Sequence, residues 1–541
     1  MSNFLIKLDG AIHIDPKFYL INFQCRLGTN GNFIIYGREG TFQLFKKNED
    51  LIAGIGYLCD INQPSFQQTL LDILESFNES KIMELKKSLL GQYIIIVKKN
   101  NFIYIFSDFL GARNVFYTDS GKSISSSFSA IENELILNKD HIDIYKIFEF
   151  IAMRPFYPAQ LGNSTINKDI KLLMPYEYIK IDIENNKISI VPLEFDIINT
   201  KQKNIYQLSK KLTYLLEGVM ARKEFFNSRV GVSLTGGKDS RLIAAFACKI
   251  FPKTRFRIAV MGSNLDTKID LSVARRLAKI ENVLIDIYCF KEMDDDDLFY
   301  KLTEGFSPIY NKTITPLIKN AYRYAIGFGG VYGSEIFEFY PYNSIDEFYK
   351  KRIKISERMA KLDINFWNRL KESFFEQARR IKAQYKLSFR NENDYIRLFM
   401  IFNTARYSSF IMEAFNDYGY QIEPYGTYPL IEFALQIPEG LLKNDKVQIA
   451  AMENFNYKMA RVISFKSFRP MLPLSIASAP YYFIGFNKHL LYYFLSRLRM
   501  QNQKKKIRSF LGGLYITNGW EENLIRRLEE KYGINIISKK I

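Results

Sequence analysis

A short apolar run, a loop of small and polar residues and a longer apolar run follow one another directly in RVGVSLTGGKDSRLIAAFACKI, residues 229–250. The first run has the length and β-branched character of a buried strand, and the second carries apolar residues at helical spacing. The same order then repeats: RFRIAVMG, DLSVARRLAKI and NVLIDIY read as strand, helix and strand. Parallel neighbours need a crossover to return the chain, so this alternation predicts a parallel sheet covered on both faces. Ligands of such sheets bind outside the carboxyl ends of the strands. The TGGKDS loop stands at such an end.

The residue types in that loop suit an anion. First-turn amides of a helix have no intrahelical partner, and glycines let backbone approach phosphate oxygens closely. The loop is not of the kinase type, which requires Gly, four residues, Gly-Lys and then Ser or Thr. Here Asp239 follows Lys238, and the spacing from Gly231 to Gly237-Lys238 is off by one residue, five instead of four. No GxGxxG is present, which argues against a dinucleotide.

Around this unit the chain has 541 residues, enough for more than one core. The first 190 or so residues read as β-rich. Hairpins are predicted in NFIIYGREGTFQLFKK around Arg38-Glu39-Gly40, in YIIIVKKNNFIYIFSD around Asn100-Asn101, and in NVFYTDSGKSISSSF around Gly121. A helix is predicted at FQQTLLDILESF, so this part is expected to be a layered α+β domain over residues 1–195. A second domain is expected over 205–541, beginning with the helix IYQLSKKLTYLLEGVMARK and mostly helical beyond about residue 345.

Composition excludes several function classes. Four scattered cysteines without a CxxC pair, and three histidines, give no zinc or iron–sulfur signature and fit reduced thiols in a cytoplasmic protein. No charged-then-apolar leader follows Met1. The most apolar stretch, YYFIGFNKHLLYYF, is broken by Asn487, Lys488 and His489, so no membrane partner is expected. The net charge is +18, but its lysines are spread along the chain and QNQKKKIR is the one short basic cluster, which weighs against nucleic acid. MDDDDLF reads as a solvated helix start rather than a metal site.

The loop resembles the SGGxDS loop of ATP pyrophosphatases (the PP-loop group) as Thr235-Gly236-Gly237-Lys238-Asp239-Ser240. Over most of its length the chain also resembles the asparagine synthetase superfamily. DFLGARNVFY and STINKDIKLLMPYEYIKI resemble stretches of that family's glutamine amidotransferase domain. FRIAVMGS resembles the strand whose backbone meets adenine, VYGSEIF the second metal-binding turn, EPYGTYPLIEFALQIPEGLLK a later Pro-Phe/Tyr segment, and ISFKSFR the catalytic-lysine loop. The resemblance implies an Ntn-amidotransferase-like α+β sandwich followed by an α/β PP-loop domain with a helical C-terminal part. It further implies ATP and Mg2+ as cofactors. Ser233, Thr235, Gly236, Gly237, Asp239, Ser240, Ile258 and Gly333 then stand at ATP, Asp239 and Glu335 on the metal, and Lys466 on the acyl-adenylate.

Two departures shape the expected function. Glutaminases of the family carry a cysteine directly after the initiator methionine, whereas this chain has Ser2 and its first cysteine is Cys25; glutamine hydrolysis is not expected. At the second turn Glu335 replaces an aspartate and Tyr332 replaces a glutamate. β-Lactam synthetase has Tyr-Gly-Ser-Asp there, with the tyrosine in a Tyr–Glu pair that deprotonates the attacking amine. Tyr332 is therefore a candidate catalytic residue, with Glu413 or Glu423 as its partner. Lys238 stands where the family usually has an apolar residue, and the sequence offers no account of it.

The expectation is an ATP-dependent, AMP-forming carbon–nitrogen ligase that adenylates a small-molecule or peptide carboxylate and couples it to an amine other than glutamine-derived ammonia. Lactam or macrolactam formation in natural-product or peptide maturation fits, with a precursor peptide or a maturation enzyme as partner. Alternatives are an intermolecular amide ligase, a tRNA-modifying PP-loop enzyme and a degenerate scaffold subunit.

Overall fold

The computed structural model describes residues 3–8, 21–27, 31–36, 42–61, 65–135, 141–143, 145–146, 149, 161–261, 265–290, 320, 323–352, 364–416 and 420–462. The strands in chain order begin with β1 (Asn3–Lys7), β2 (Ile21–Leu27), β3 (Gly31–Tyr36), β4 (Phe42–Lys47), β5 (Asp50–Asp60), β6 (Leu89–Lys99) and β7 (Phe102–Ser107). They continue with β8 (Phe116–Thr118), β9 (Ser123–Ser125), β10 (Ile170–Leu172), β11 (Glu177–Asp182), β12 (Lys187–Pro192) and β13 (Phe195–Ile197). After these come β14 (Val230–Ser233), β15 (Thr254–Met261), β16 (Leu284–Phe290), β17 (Ile326–Phe328), β18 (Tyr385–Leu387) and β19 (Tyr420–Ile422).

The early strands form two antiparallel sheets of order β10-β8-β9-β1-β3-β2 and β12-β11-β7-β6-β5-β4. Side chains alternate along a strand, so one face of each sheet is free to pack on the other. Phe4, Ile6, Phe33 and Ile35 from the first meet Ile94, Ile96, Ile103 and Ile105 from the second in one buried layer. The outer face of the second sheet is covered by the helix Phe66–Ser76, whose Leu70, Ile73 and Leu74 pack with Ile52, Ile95 and Val97. Ser65 starts that helix by accepting the Gln68 N–H at 3.2 Å. Phe128, opening the helix Phe128–Glu134, packs on Phe116 of the first sheet.

Two of the expected hairpins form. β6 and β7 turn at Asn100, whose φ is +52°, and β8 and β9 turn at Gly121, whose φ is +69°. The expected hairpin around Arg38-Glu39-Gly40 does not: β3 pairs with β1 and β2, whereas β4 pairs with β5 in the other sheet. The chain changes layer there, and a layer change shows the same local sequence as a hairpin turn.

Later strands build a parallel sheet of order β16-β15-β14-β17-β19. Val230, Val232, Phe256, Ile258, Ile326, Phe328 and Ile422 share a core with Leu242, Ile243 and Phe246 of the helix Lys238–Ile250. The opposite face is polar. There the register sets Ser233 beside Arg257, Arg257 beside Asp286, and Gly327 beside both Gly231 and Gln421. The β-rich part packs on the edge of this sheet. Tyr57 of β5 donates its hydroxyl to Glu224 and lies 5.2 Å, ring to ring, from Tyr420 of β19. Asn114 donates to Ser409 at 3.1 Å, and Phe109 meets Tyr428. Among the described residues no helix is long and apolar enough to cross a membrane.

Candidate active site

The TGGKDS loop leaves β14 at the carboxyl edge of the parallel sheet and enters the helix Lys238–Ile250 with Gly237 as N-cap. No side chain caps this helix, so its first-turn amides remain donors for an anion. The loop is braced from within. Ser240 Oγ accepts the Thr235 N–H and lies 3.0 Å from Thr235 Oγ1. From outside, the buried Asp270 accepts the Gly236 N–H at 2.7 Å. Arg241, fully buried, donates to the Gly236 carbonyl at 3.1 Å and to the Met459 and Val462 carbonyls. Lys238 Nζ lies 3.1 Å from Asp445 Oδ1. Burial opposes its charge, but Asp239, Asp445 and Glu338 outweigh that and raise its pKa.

The VYGSEIF turn follows β17 and meets this loop directly. Ser334 Oγ donates to Asp239 Oδ2 at 3.0 Å across 95 residues of chain. A Cβ on Gly333 would stand 2.7 Å from the Asp239 carboxyl carbon, and one on Gly330 would stand 2.7 Å from the Ser240 backbone nitrogen. Glycine is needed at both positions because the two turns touch backbone to backbone and backbone to carboxylate. Gln448, from the helix Lys446–Phe455, completes the surroundings of Asp239 by donating Nε2 to Oδ1 at 2.6 Å. The helix Gly333–Phe337 is held from behind by the buried Arg397, which donates to the Ile336 and Ala434 carbonyls.

Tyr332 precedes that helix with a left-handed φ of +73° and is fully buried. Burial pushes its pKa well up, and its hydroxyl lies 2.9 Å from Ser408 Oγ. Glu423 does not touch the phenol. Its Oε2 accepts the Val331 N–H at 2.9 Å and its Oε1 accepts from Gln421 Nε2 at 2.8 Å. Gln421 accepts from Arg257 in turn, and Arg257 Nε donates to Ser233 Oγ at 2.9 Å. A buried polar chain thus runs over the sheet from the start of one turn to the base of the other. Burial lifts the Glu423 carboxyl to about 7, with Gln421, the Val331 N–H and Arg257 pulling the other way.

The structure therefore gathers Ser233, Thr235, Gly236, Gly237, Asp239, Ser240 and Gly333 at one sheet edge. Glu335, one residue beyond Ser334, is buried, and Ile258 is buried within β15. Lys466, Ser2 and the Glu413 side chain lie outside the described residues. Among the described residues no three acidic, histidine or cysteine side chains cluster as a metal site. Sequence reasoning missed Gln448, Asp270, Ser408 and the Arg257–Gln421 link. A lone polar residue on an amphipathic helix reads as solvent-facing, and no local pattern says otherwise.

No family model matches the chain. It is 22% identical over 190 residues to a probable asparagine synthetase (glutamine-hydrolyzing) of Acanthamoeba polyphaga mimivirus, a match covering 34% of this chain and 32% of the relative. The chain thus matches about a third of that relative's length. This similarity supports a relationship with asparagine synthetases without fixing a subtype. Among solved structures, the U34-tRNA thiolase NcsA from Methanococcus maripaludis aligns at 13% identity and a TM-score of 0.23, over 62% of this chain and 82% of that one. Glutamine PRPP amidotransferase from B. subtilis aligns at 11% identity and a TM-score of 0.21, over 53% and 59%.

Proposed function

We propose that the chain is an ATP-using, AMP-forming synthetase that adenylates a carboxylate, releases pyrophosphate and passes the acyl group to an amine. The observation that carries this reading is the meeting of Asp239 with the Gly333-Ser334 turn at the carboxyl edge of a parallel sheet, beside an uncapped helix start. Two loops that resemble the ATP and metal turns of asparagine synthetases lie within hydrogen-bond reach, and the similarity to a probable asparagine synthetase supports the same group. In this reading residues 1–195 form an Ntn-amidotransferase-like domain and 205–541 a PP-loop domain.

The residues present fit a hard divalent cation. Asp239 offers a carboxylate, Ser334 a hydroxyl and Gln448 a side-chain carbonyl, and magnesium takes one or two carboxylates together with substrate phosphates. Magnesium, when bound, neutralises charge on the departing pyrophosphate. The first-turn amides after Gly237 bind phosphate oxygens, while Thr235 and Ser240 hold the loop in shape. Glu335 adds a second carboxylate on the neighbouring turn, and Lys466 supplies positive charge at the acyl-adenylate. The amine is other than glutamine-derived ammonia, a reading that rests on Ser2.

The bond between Tyr332 and Ser408 favours a second form of this reading. A fully buried phenol with its hydroxyl on a serine is placed to hold the turn, which fits an intermolecular amide ligase better than a cyclase with a tyrosine base. The test of the whole reading is pyrophosphate release from ATP over a panel of carboxylates and amines. Asp239→Ala should abolish release while the chain still folds, at a melting temperature lowered only by the loss of the Ser334 and Gln448 bonds, since it removes no core side chain. Turnover by that variant would reject the assignment of the loop.

A further inference from the structure

Gln448 stands at the Asp239 carboxylate with half of its amide unused. Nε2 donates to Asp239 Oδ1 at 2.6 Å, while Oε1 is buried and has no hydrogen-bond partner. The side chain is 2% exposed. A buried carbonyl without a donor is destabilising, so this one calls for an occupant. The orientation of the amide is set by its neighbour. Turned the other way, Oε1 would face a carboxylate oxygen at the same distance, acceptor against acceptor.

The helix that presents Gln448 is registered on the loop at a second point. Asp445, the N-cap residue of that helix, and Gln448, in its first turn, meet Lys238 and Asp239, which are adjacent. Lys238 thereby fixes the helix start so that the amide reaches the carboxylate and not the loop backbone.

We propose that Gln448 is a further ligand of the cation site, a proposal that rests on the reading of Asp239 given above. A cation on Asp239 and the Nε2–H donor compete for the same lone pairs. When the cation arrives, the amide rotates about its last torsion and exchanges its two ends. Oε1 then faces the cation or a water of its shell, as glutamine carbonyls do with hard divalent ions. The unused carbonyl is in this way the half of the group reserved for the loaded state.

The probe is Mn2+ in place of Mg2+, titrated by water-proton relaxation into the full chain with α,β-methylene ATP, which is not cleaved. A parallel titration of the analogue is made in EDTA. Gln448→Met keeps the shape and removes both polar atoms. It should weaken Mn2+ binding roughly tenfold or more, the range for residues that orient or complete a metal's shell, and leave binding of the analogue in EDTA unchanged. Gln448→Glu places a second carboxylate beside Asp239, whose mutual repulsion a cation relieves, and should bind Mn2+ tighter than the wild type by a similar factor. Gln448→Met that binds Mn2+ as the wild type does would overturn the proposal. So would equal losses with and without metal, which mark a purely structural bond. If Gln448→Met does not fold, Gln448→Glu decides alone, and affinity no higher than wild type rejects the role. Asp239→Asn separates the two levels of the argument. Loss of Mn2+ binding there with Gln448→Met unaffected sinks Gln448 only, whereas normal binding by Asp239→Asn removes the site itself.

Discussion

Replacing Glu423 by glutamine tests the polar chain that supports the second turn. The carboxyl is 2% exposed, and burial lifts its pKa from the ordinary 4.5 to about 7. Between those values the folded chain keeps a proton that the unfolded chain has lost. Stability is therefore fully present at low pH and falls as the pH rises through this window. For one group the fall between about pH 5 and pH 8 amounts to about 2 kcal/mol. Glutamine cannot ionise, so the variant lacks this slope. It still accepts the Val331 N–H but turns a donor toward Gln421 Nε2, a mismatch worth about 1 kcal/mol at every pH. Glu423→Gln should then be less stable than wild type near pH 5 and equal or better near pH 8. The assay is the thermal midpoint of both proteins in the same buffers at half-unit pH steps, read as the difference between them so that other titrating groups cancel. Two parallel curves would show that Glu423 ionises normally in the fold and that the burial argument is wrong.

The glycines of the second turn should differ in a way set by what each touches. Gly330→Ala drives a Cβ to 2.7 Å from the Ser240 backbone nitrogen, which cannot yield, whereas Gly333→Ala meets the Asp239 side chain from its Cβ to its carboxylate. The first should lower the melting point more, by an overpacking cost of about 1–3 kcal/mol, and the second should chiefly impair ATP-dependent pyrophosphate release; the reverse order would reject the contact between the turns. Tyr332→Phe removes one bond from the Ser408 hydroxyl, which still donates to the Thr404 carbonyl, and should cost about 1 kcal/mol by denaturation, with both pyrophosphate exchange and amide formation retained. A selective loss of amide formation, on the order of a hundredfold or more, would instead establish the phenol as the amine's base.

The parts of the fold legible in the sequence are those whose chemistry is local. β14, β15 and β16 are apolar runs separated by helical runs, and their order along the chain dictates a parallel sheet. The Asn100 and Gly121 turns carry residues that tolerate positive φ, so both hairpins could be read. β17 and β19 have three residues each, too few to show a period, and β19 lies among helical patterns. The β3 and β4 pairing went the other way because a change of layer and a hairpin share one local signature. At the site, the strand, loop and helix could be read because two glycines separate two apolar runs. Gln448, Asp270 and Arg257 could not, since each acts through a partner 24 to 209 residues away along the chain.

Lys238 shows how such distant partners change the meaning of a residue. A cation at the first position of a helix opposes the helix dipole, so a lysine there is unfavourable by local rules and had no account from sequence. Asp445 lies 3.1 Å from its ammonium group and Asp239 is its neighbour, and together they keep it charged despite its burial. A charge held in this way stands at the first position of the helix whose free amides are proposed to face a phosphate, where it would add to their attraction. The same bond sets the register of the Gln448 helix on the loop. Lys238 thus supplies both field and alignment, and the aspartate that makes it tolerable sits 207 positions further along the chain.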